Sequence, residues 1–244
     1  EIKKLKEIAR KNNLLLIEDV AESFGAKLDG KLAGNFGDAA MFSFCQTKVF
    51  TTGEGGCIVT DSKKIAEKLK LIRAHGRAEN SSYFTTGEYM DYICLGYNFR
   101  MADIIAALGI SQIKKVDKMI KKRRELAKYM AEKIKKENLK DVKITEFSKN
   151  SFHVYQEFAI QIKSGEKTRD KLKKYLFENG IGTRVSFKPI HKTHFYKNVL
   201  GYSDVLENTE KISSKALTLP LYPSLTKKEI DFIVKKITGF YGRS

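Results

Sequence analysis

The chain has 244 residues, with 46 Lys and Arg against 29 Asp and Glu and a formal net charge of +17. That length can bury one sizeable core or two smaller ones. At 42% hydrophobic and 31% charged residues the composition is that of a soluble globular protein, and no apolar stretch approaches the roughly 20 residues that span a bilayer, which excludes a membrane-embedded chain.

In chain order, Ile2, Leu5, Ile8 and Ala9 recur at helical spacing until Asn12-Asn13, and the continuous apolar run Leu14-Leu15-Leu16-Ile17 then predicts a buried strand. A strand apolar on both faces belongs in a covered parallel sheet, where ligands bind beyond the carboxyl ends of the strands. Asp19 falls at that end. Residues 39–44 predict a second strand and 56–60 a third, leading through Asp61-Ser62 into an amphipathic helix that ends near His75. From Ala102 to about Lys136, Ile105, Leu108, Ile113, Val116, Ile120, Leu126 and Tyr129 sustain a helical pattern with one break, long enough to bridge two domains. Beyond it, 152–162 alternates as one half-buried strand, 168–179 reads as a helix closed by Gly180, and 182–187 as a strand. Thr226-Lys227-Lys228-Glu229 is a capping box opening the last helix. The pattern predicts an α/β domain over 1–125 and a smaller α+β domain over 126–244, without internal repeats.

Cys45, Cys57 and Cys94 are odd in number, lack a C-x-x-C pair and sit in apolar surroundings, which predicts reduced, structural thiols in a cytoplasmic protein. His75, His153, His191 and His194 form no H-E-x-x-H, and the close pair His191 and His194 has no neighbouring carboxylate in sequence, so no metal site is expected. The positive charge would suit a polyanion. The runs Lys114-Lys115, Lys121-Lys122-Arg123-Arg124 and Lys135-Lys136 carry no interleaved aromatics, however, and read as a solvated helical face. A basic regulatory or nucleic-acid-binding protein is the alternative reading, resting on charge alone. The chain opens Glu1-Ile2-Lys3-Lys4 without an initiator Met or an apolar leader, so it reads as a fragment and not as a secretory precursor.

The chemistry concentrates around Lys48, which ends the run Phe42-Ser43-Phe44-Cys45-Gln46-Thr47-Lys48 just before Thr52-Gly53-Glu54-Gly55-Gly56. With Asp19 upstream, this supplies an amine, an anion-binding hydroxyl and a carboxylate, the three groups that hold and tune pyridoxal phosphate. Gly53, Gly55 and Gly56 predict a positive-φ turn that lets the backbone pass close to the lysine.

Several ordered motifs then carry a family resemblance. They are Ile17-Glu18-Asp19-Val20-Ala21-Glu22-Ser23-Phe24-Gly25-Ala26, Gly34-Asn35-Phe36-Gly37-Asp38, the Phe42–Gly56 run with Lys48, Leu95-Gly96-Tyr97-Asn98-Phe99-Arg100-Met101, Pro189-Ile190-His191 and Leu219-Pro220-Leu221-Tyr222-Pro223-Ser224-Leu225. Together they cover essentially the whole chain, which resembles the DegT/DnrJ/EryC1/StrS family of sugar aminotransferases. The resemblance implies the α/β fold type I of pyridoxal-phosphate-dependent transferases, aspartate aminotransferase-like, with part of a large, mostly parallel-sheet domain followed by a small C-terminal α+β domain. It implies transfer of an amino group from glutamate to a nucleotide-linked keto sugar, in polysaccharide or glycan biosynthesis, by a homodimer. The Asp-Val-Ala-Glu run looks most like the branch that aminates a GDP-linked 4-keto-6-deoxy sugar of the deoxymannose type.

Carried over residue by residue, the resemblance makes Lys48 the residue that joins the cofactor aldehyde and moves the substrate proton. Asp19 becomes the acceptor of the pyridine N–H, and Ser43, with Thr47 second, the phosphate ligand. Glu22 stands where many relatives carry Gln or His against the cofactor ring. Asn98 resembles the residue that reaches the phosphate in the neighbouring subunit, and Arg100 one that pairs with the glutamate carboxylate. His191 resembles a substrate-site histidine, with a surface role as the alternative. Sugar dehydratases on the same scaffold resemble the family with His in place of the lysine, so Lys48 speaks for transamination. Relatives have a further segment before Glu1 that resembles a supplier of phosphate and ring contacts, so weak cofactor binding and inactivity are expected of this chain alone.

Overall fold

The structure is a computed structural model that describes residues 1–77, 91–185 and 187–242. The chain divides into two compact units, Glu1–Lys118 with Asn150–Val154, and Met119–Lys149 with Tyr155–Ser244. Residues 150–154 return to the first unit, where Ser151–Phe152 pairs with Lys27–Leu28.

Helix α1 (Ile2–Lys11) buries only Ala9 and ends where Asn12 Nδ2 donates to the Ile8 carbonyl at 2.9 Å and Asn13 turns to φ 53°. The buried strand expected at 14–17 is corrected here. Strand β1 is Ile17–Asp19, and Leu14, Leu15 and Ile17 are exposed. In the three-stranded sheet of the described residues β1 is an edge strand, paired with β4.

Strands β2 (Lys27–Leu28) and β3 (Lys31–Leu32) form a hairpin that the reading by periodicity passed over. Its turn is Asp29-Gly30, with φ of 50° and 79°, the left-handed pair that a two-residue hairpin needs.

Strand β4 (Ala39–Ser43) pairs in parallel with β1, setting Asp19 beside Met41. It pairs antiparallel with β5 (Gly56–Val59), setting Ser43 beside Gly56. The parallel arrangement thus holds for one of the two pairings, because no crossover helix separates β4 from β5.

Helix α2 (Lys63–Arg73) starts at the cap Ser62, whose Oγ accepts from Ile65 N at 3.4 Å. After it, residues 93–99 fold back on 72–77 through Tyr97 N to Ile72 O at 2.6 Å, His75 N to Tyr97 O at 2.9 Å and Phe99 N to Arg73 O at 2.9 Å. Gly76, at φ +75°, makes this possible, since an added Cβ would collide with the Cys94 carbonyl. Helix α3 (Asp103–Ile113) and helix α4 (Val116–Lys136) realise the long helical pattern, with its break at Lys114-Lys115.

The expected strand over 152–162 is two strands. After β6 (Val142–Ile144), β7 (Ser151–Phe152) joins β2 in the first unit. Strand β8 (Phe158–Ile162) joins β6 in the second. Tyr155, at φ 52°, interrupts the run where the chain passes between units, and no single pleated strand accommodates that conformation.

Helix α5 (Glu166–Glu178) is followed by Gly180 at φ +76°. The strand expected over 182–187 reduces to a single bridge, Arg184 N to Thr218 O at 3.0 Å and Thr218 N to Arg184 O at 2.7 Å, with Ser186 outside the described residues. Then come a 3-10 turn (Ile190–Lys192), a π-helical turn (Phe195–Val199), α6 (Glu207–Lys215), β9 (Ala216–Leu219) and α7 (Lys227–Tyr241). The capping box of α7 is formed in both directions by Thr226 and Glu229. The sheet runs β6-β8-β9, all antiparallel, and α4, α5 and α7 supply Leu126, Met130, Leu172, Leu176, Ile230 and Ile237 to a core with Ile160, Ile162 and Leu217. Cys45, Cys57 and Cys94 are free thiols, and Cys57 and Cys94 are exposed rather than packed into a core. Among the described residues no helix is long and apolar enough to cross a membrane.

Candidate active site

The candidate site lies in the first unit, at the carboxyl ends of the neighbouring parallel strands β1 and β4. Side-chain alternation along β1 turns Glu18 inward and Asp19 outward. Asp19 Oδ1 accepts from Ala21 N at 2.9 Å, which fixes the start of the loop that carries Glu22. Glu18 is buried and serves as the anchor beneath. Its Oε2 accepts from Gly34 N at 2.8 Å, and its Oε1 accepts from Phe36 N at 2.6 Å and Gly37 N at 2.7 Å. Sequence reading missed this role, because the residue type is charged and nothing local shows which way it faces.

From β4, Ser43 Oγ accepts from Cys45 N at 3.3 Å and so braces the start of the lysine loop. Thr47 Oγ1 lies 4.0 Å from Cys45 Sγ. The loop closes on Phe44, whose N–H donates to Gly55 O at 2.8 Å and whose carbonyl accepts from Thr52 N and Thr51 Oγ1, both at 3.0 Å. Beneath it, Phe44 and Phe50 meet edge to face at 4.6 Å between ring centroids, and Phe24 stacks on Phe50 at 5.1 Å. Val49 and Phe50 are buried immediately after Lys48, so the loop is held while its lysine projects. Gly53 and Gly55 take φ of +84° and +150° as expected, whereas Gly56 serves close approach, since a Cβ there would meet the Phe42 carbonyl at 2.7 Å.

Lys48 Nζ lies 2.7 Å from Glu22 Oε1, with the lysine side chain 15% exposed and the glutamate 52%. The fold therefore brings two of the sequence-predicted residues into direct contact across 26 positions. Asp19 and Ser43 stand at the carboxyl ends of the adjoining strands β1 and β4. Asn98 and Arg100 are exposed on the segment that folds over α2, and the next residue, Met101, packs against Gly55 of the glycine turn. Thr52 and Phe50 are likewise the neighbours of Gly109 in α3.

His191 lies in the second unit, in the 3-10 turn. Its Nε2 is 3.0 Å from Glu210 Oε1, and its side chain is 9% exposed, which makes it a held residue and not a loose surface imidazole. Glu210 was not singled out by sequence reading; it lies 19 positions away, on α6. Lys192 pairs with the same carboxylate. Hydrogen bonds from Lys192 first and His191 second bring the Glu210 carboxyl down to about 2.

As a donor set the first unit fits pyridoxal phosphate: an amine for the aldehyde, a strand-end carboxylate for the ring nitrogen and a hydroxyl for the phosphate. Among the described residues no cluster of three or more His, Cys, Asp and Glu is placed to hold a metal ion.

Comparison with known proteins agrees with this chemistry. GDP-perosamine synthase of Escherichia coli O157:H7 is 33% identical over 242 residues, covering 99% of this chain and 62% of that protein. A UDP-4-amino-4,6-dideoxy-N-acetyl-beta-L-altrosamine transaminase of Campylobacter jejuni strain 81-176 is 32% identical, covering 96% of this chain and 60% of that protein. Among solved structures, Helicobacter pylori PseC, an aminotransferase involved in the biosynthesis of pseudoaminic acid, matches with a TM-score of 0.91 at 24% identity, over 100% of this chain and 64% of that one. The chain spans about three fifths of the length of the curated relatives it matches. The shared architecture is fold type I of the pyridoxal-phosphate-dependent transferases. The profile of a family that depends on this cofactor matches residues 1–238, and the chain belongs to the DegT/DnrJ/EryC1/StrS aminotransferase family.

Proposed function

We propose that this chain is the larger part of a pyridoxal-phosphate-dependent enzyme that transfers an amino group from glutamate to a nucleotide-linked keto sugar, of the GDP-4-keto-6-deoxymannose kind. The observation that carries the reading is Lys48 itself, largely enclosed on a braced loop and ion-paired with Glu22 at the carboxyl end of the sheet. When bound, the cofactor supplies an aldehyde that exchanges amines and a ring that absorbs the electrons of a carbanion.

The protein's residues do the rest. Lys48 takes a proton from the α-carbon of the donor and returns one to the cofactor side. Asp19 accepts the N–H of the ring nitrogen and so keeps that nitrogen charged, while Ser43, seconded by Thr47, donates to the phosphate. Glu22 holds the Lys48 nitrogen in place through their 2.7 Å ion pair. Arg100 pairs with the glutamate carboxylate, and His191 faces the sugar.

The enzyme acts as a cytoplasmic homodimer, with Asn98 serving the neighbouring subunit's phosphate site. The uncovered apolar side chains of Leu95, Phe99, Ile104 and Ile110 around α3 support that reading, because a surface of this kind calls for a partner. Residues 1–125 belong to the large cofactor domain and 126–244 to the small one.

Borohydride reduction of the complete enzyme with pyridoxal phosphate, followed by peptide mapping, tests the proposal. The label is expected on Lys48 and is lost in Lys48→Ala; a label elsewhere, or none, refutes it. Glutamate with a nucleotide-linked 4-keto sugar is expected to yield the amino sugar.

A further inference from the structure

We propose that Glu210 is the residue that positions His191, fixing the ring in its Nε2–H tautomer so that Nδ1 is left to accept a hydrogen bond from a hydroxyl of the bound sugar. The inference rests on His191 facing the sugar, as proposed above, and adds the group that decides what the ring offers.

The geometry is that of a clamp. Glu210 Oε1 lies 3.0 Å from His191 Nε2 and accepts from Leu206 N at 3.3 Å, while Oε2 pairs with Lys192. One carboxylate on the first turn of α6 thus ties two consecutive residues of the 3-10 turn to its own helix start. The 3-10 turn is braced internally by Thr193 Oγ1 to Ile190 O at 2.7 Å and Lys192 N to Pro189 O at 2.9 Å. The ring, 9% exposed, has little room to flip.

Because Lys192 and His191 hold the Glu210 carboxyl far below neutral pH, it has no proton to give. The imidazole nitrogen facing it must therefore be the donor. A neutral ring that donates through Nε2 accepts through Nδ1, and the hydrogen-bond network assigns that tautomer. An acceptor suits a sugar hydroxyl, whereas a diphosphate would call for a donor or a cation. Glu210 and Lys192 are the charged members of the cluster, and Lys192 is committed to the carboxylate.

Long-range proton–nitrogen spectra of the complete enzyme labelled with nitrogen-15 histidine, at pH about 8 where a free imidazole is neutral, test this directly. His191→Gln identifies the signals. The wild type is expected to show a fixed Nε2–H ring at position 191. Glu210→Ala is expected to average the tautomers, and Glu210→Gln, which keeps an acceptor oxygen, to restore much of the preference. In kinetics, Glu210→Ala should raise KM for a nucleotide-linked keto sugar roughly tenfold, the loss of about one hydrogen bond, and lower kcat by less. A wild-type Nδ1–H or averaged ring overturns the proposal, and so does a Glu210→Ala ring unchanged from wild type. The wild-type spectrum needs no variant to fold. An enzyme without transaminase activity would sink the functional reading, while the spectrum decides the role of Glu210 independently.

Discussion

Replacing Glu18 probes how the sheet edge holds the candidate site. Its carboxylate accepts three backbone N–H groups, from Gly34, Phe36 and Gly37, at 2.6 to 2.8 Å, and Glu18 is itself buried. A hydrogen bond to an ionised group contributes about 1.5–3 kcal/mol, but three sharing one acceptor do not add fully. Glu18→Ala leaves the three donors without their acceptor and opens a void between β1 and the 34–37 loop. A cost of about 3–5 kcal/mol is expected, and about 2–3 kcal/mol for Glu18→Gln, which keeps one acceptor oxygen and turns an amide N–H toward a donor. Urea unfolding followed by far-UV circular dichroism gives the global value if the slopes match. Because the two units can unfold separately, native-state exchange of the Phe36 and Gly37 amides supplies the local one. Protection there should fall by at least about a hundredfold, the equivalent of roughly 3 kcal/mol. A loss below about 1 kcal/mol by both measures, or a Gln variant worse than the Ala one, would refute the carboxylate-anchor argument. Asp19 ends the same strand and Glu22 lies on the loop that follows, so pyridoxal phosphate affinity of the complete enzyme should drop in parallel.

Gly76→Ala should cost about 2–4 kcal/mol in thermal unfolding, since it adds left-handed strain at φ +75° to a collision with the Cys94 carbonyl. Gly30→Ala, at φ +79° with open space around it, should cost only the strain, about 1 kcal/mol; equal losses would count against the close-approach argument. Acid should weaken the second unit through Glu210. Its carboxyl falls from an ordinary 4.5 to about 2 on folding, so its contribution is complete above pH 4.5 and is lost as pH falls toward 2. Glu210→Gln should make the profile less steep in that window, where the depressed carboxyls of Asp141, Glu229 and Asp231 still titrate, which acid titration of the unfolding midpoint checks.

Features of the chain that depend on neighbours within a few residues were legible in the sequence. Ser62 and the Thr226–Glu229 box cap the helices they precede, and the break between α3 and α4 falls at Lys114-Lys115 inside one long helical pattern. The positive-φ turn at Gly53 and Gly55 could likewise be read, because only glycine adopts those angles without strain. The Asp29-Gly30 hairpin was equally legible as turn chemistry, although periodicity alone overlooks strands of two residues.

Tertiary structure decided the rest. Whether Leu14 and Leu15 are covered depends on what lies beside β1, and whether 152–162 is one strand or two depends on which sheets its halves join. The inward turn of Glu18, the contact of Lys48 with Glu22 and the clamp of Glu210 on His191 each join residues 16 to 26 positions apart. Hydrophobic periodicity and capping are set by backbone geometry over one or two turns and so are written locally. Charge pairing and burial are set by distance in space, which the chain acquires only when its elements pack.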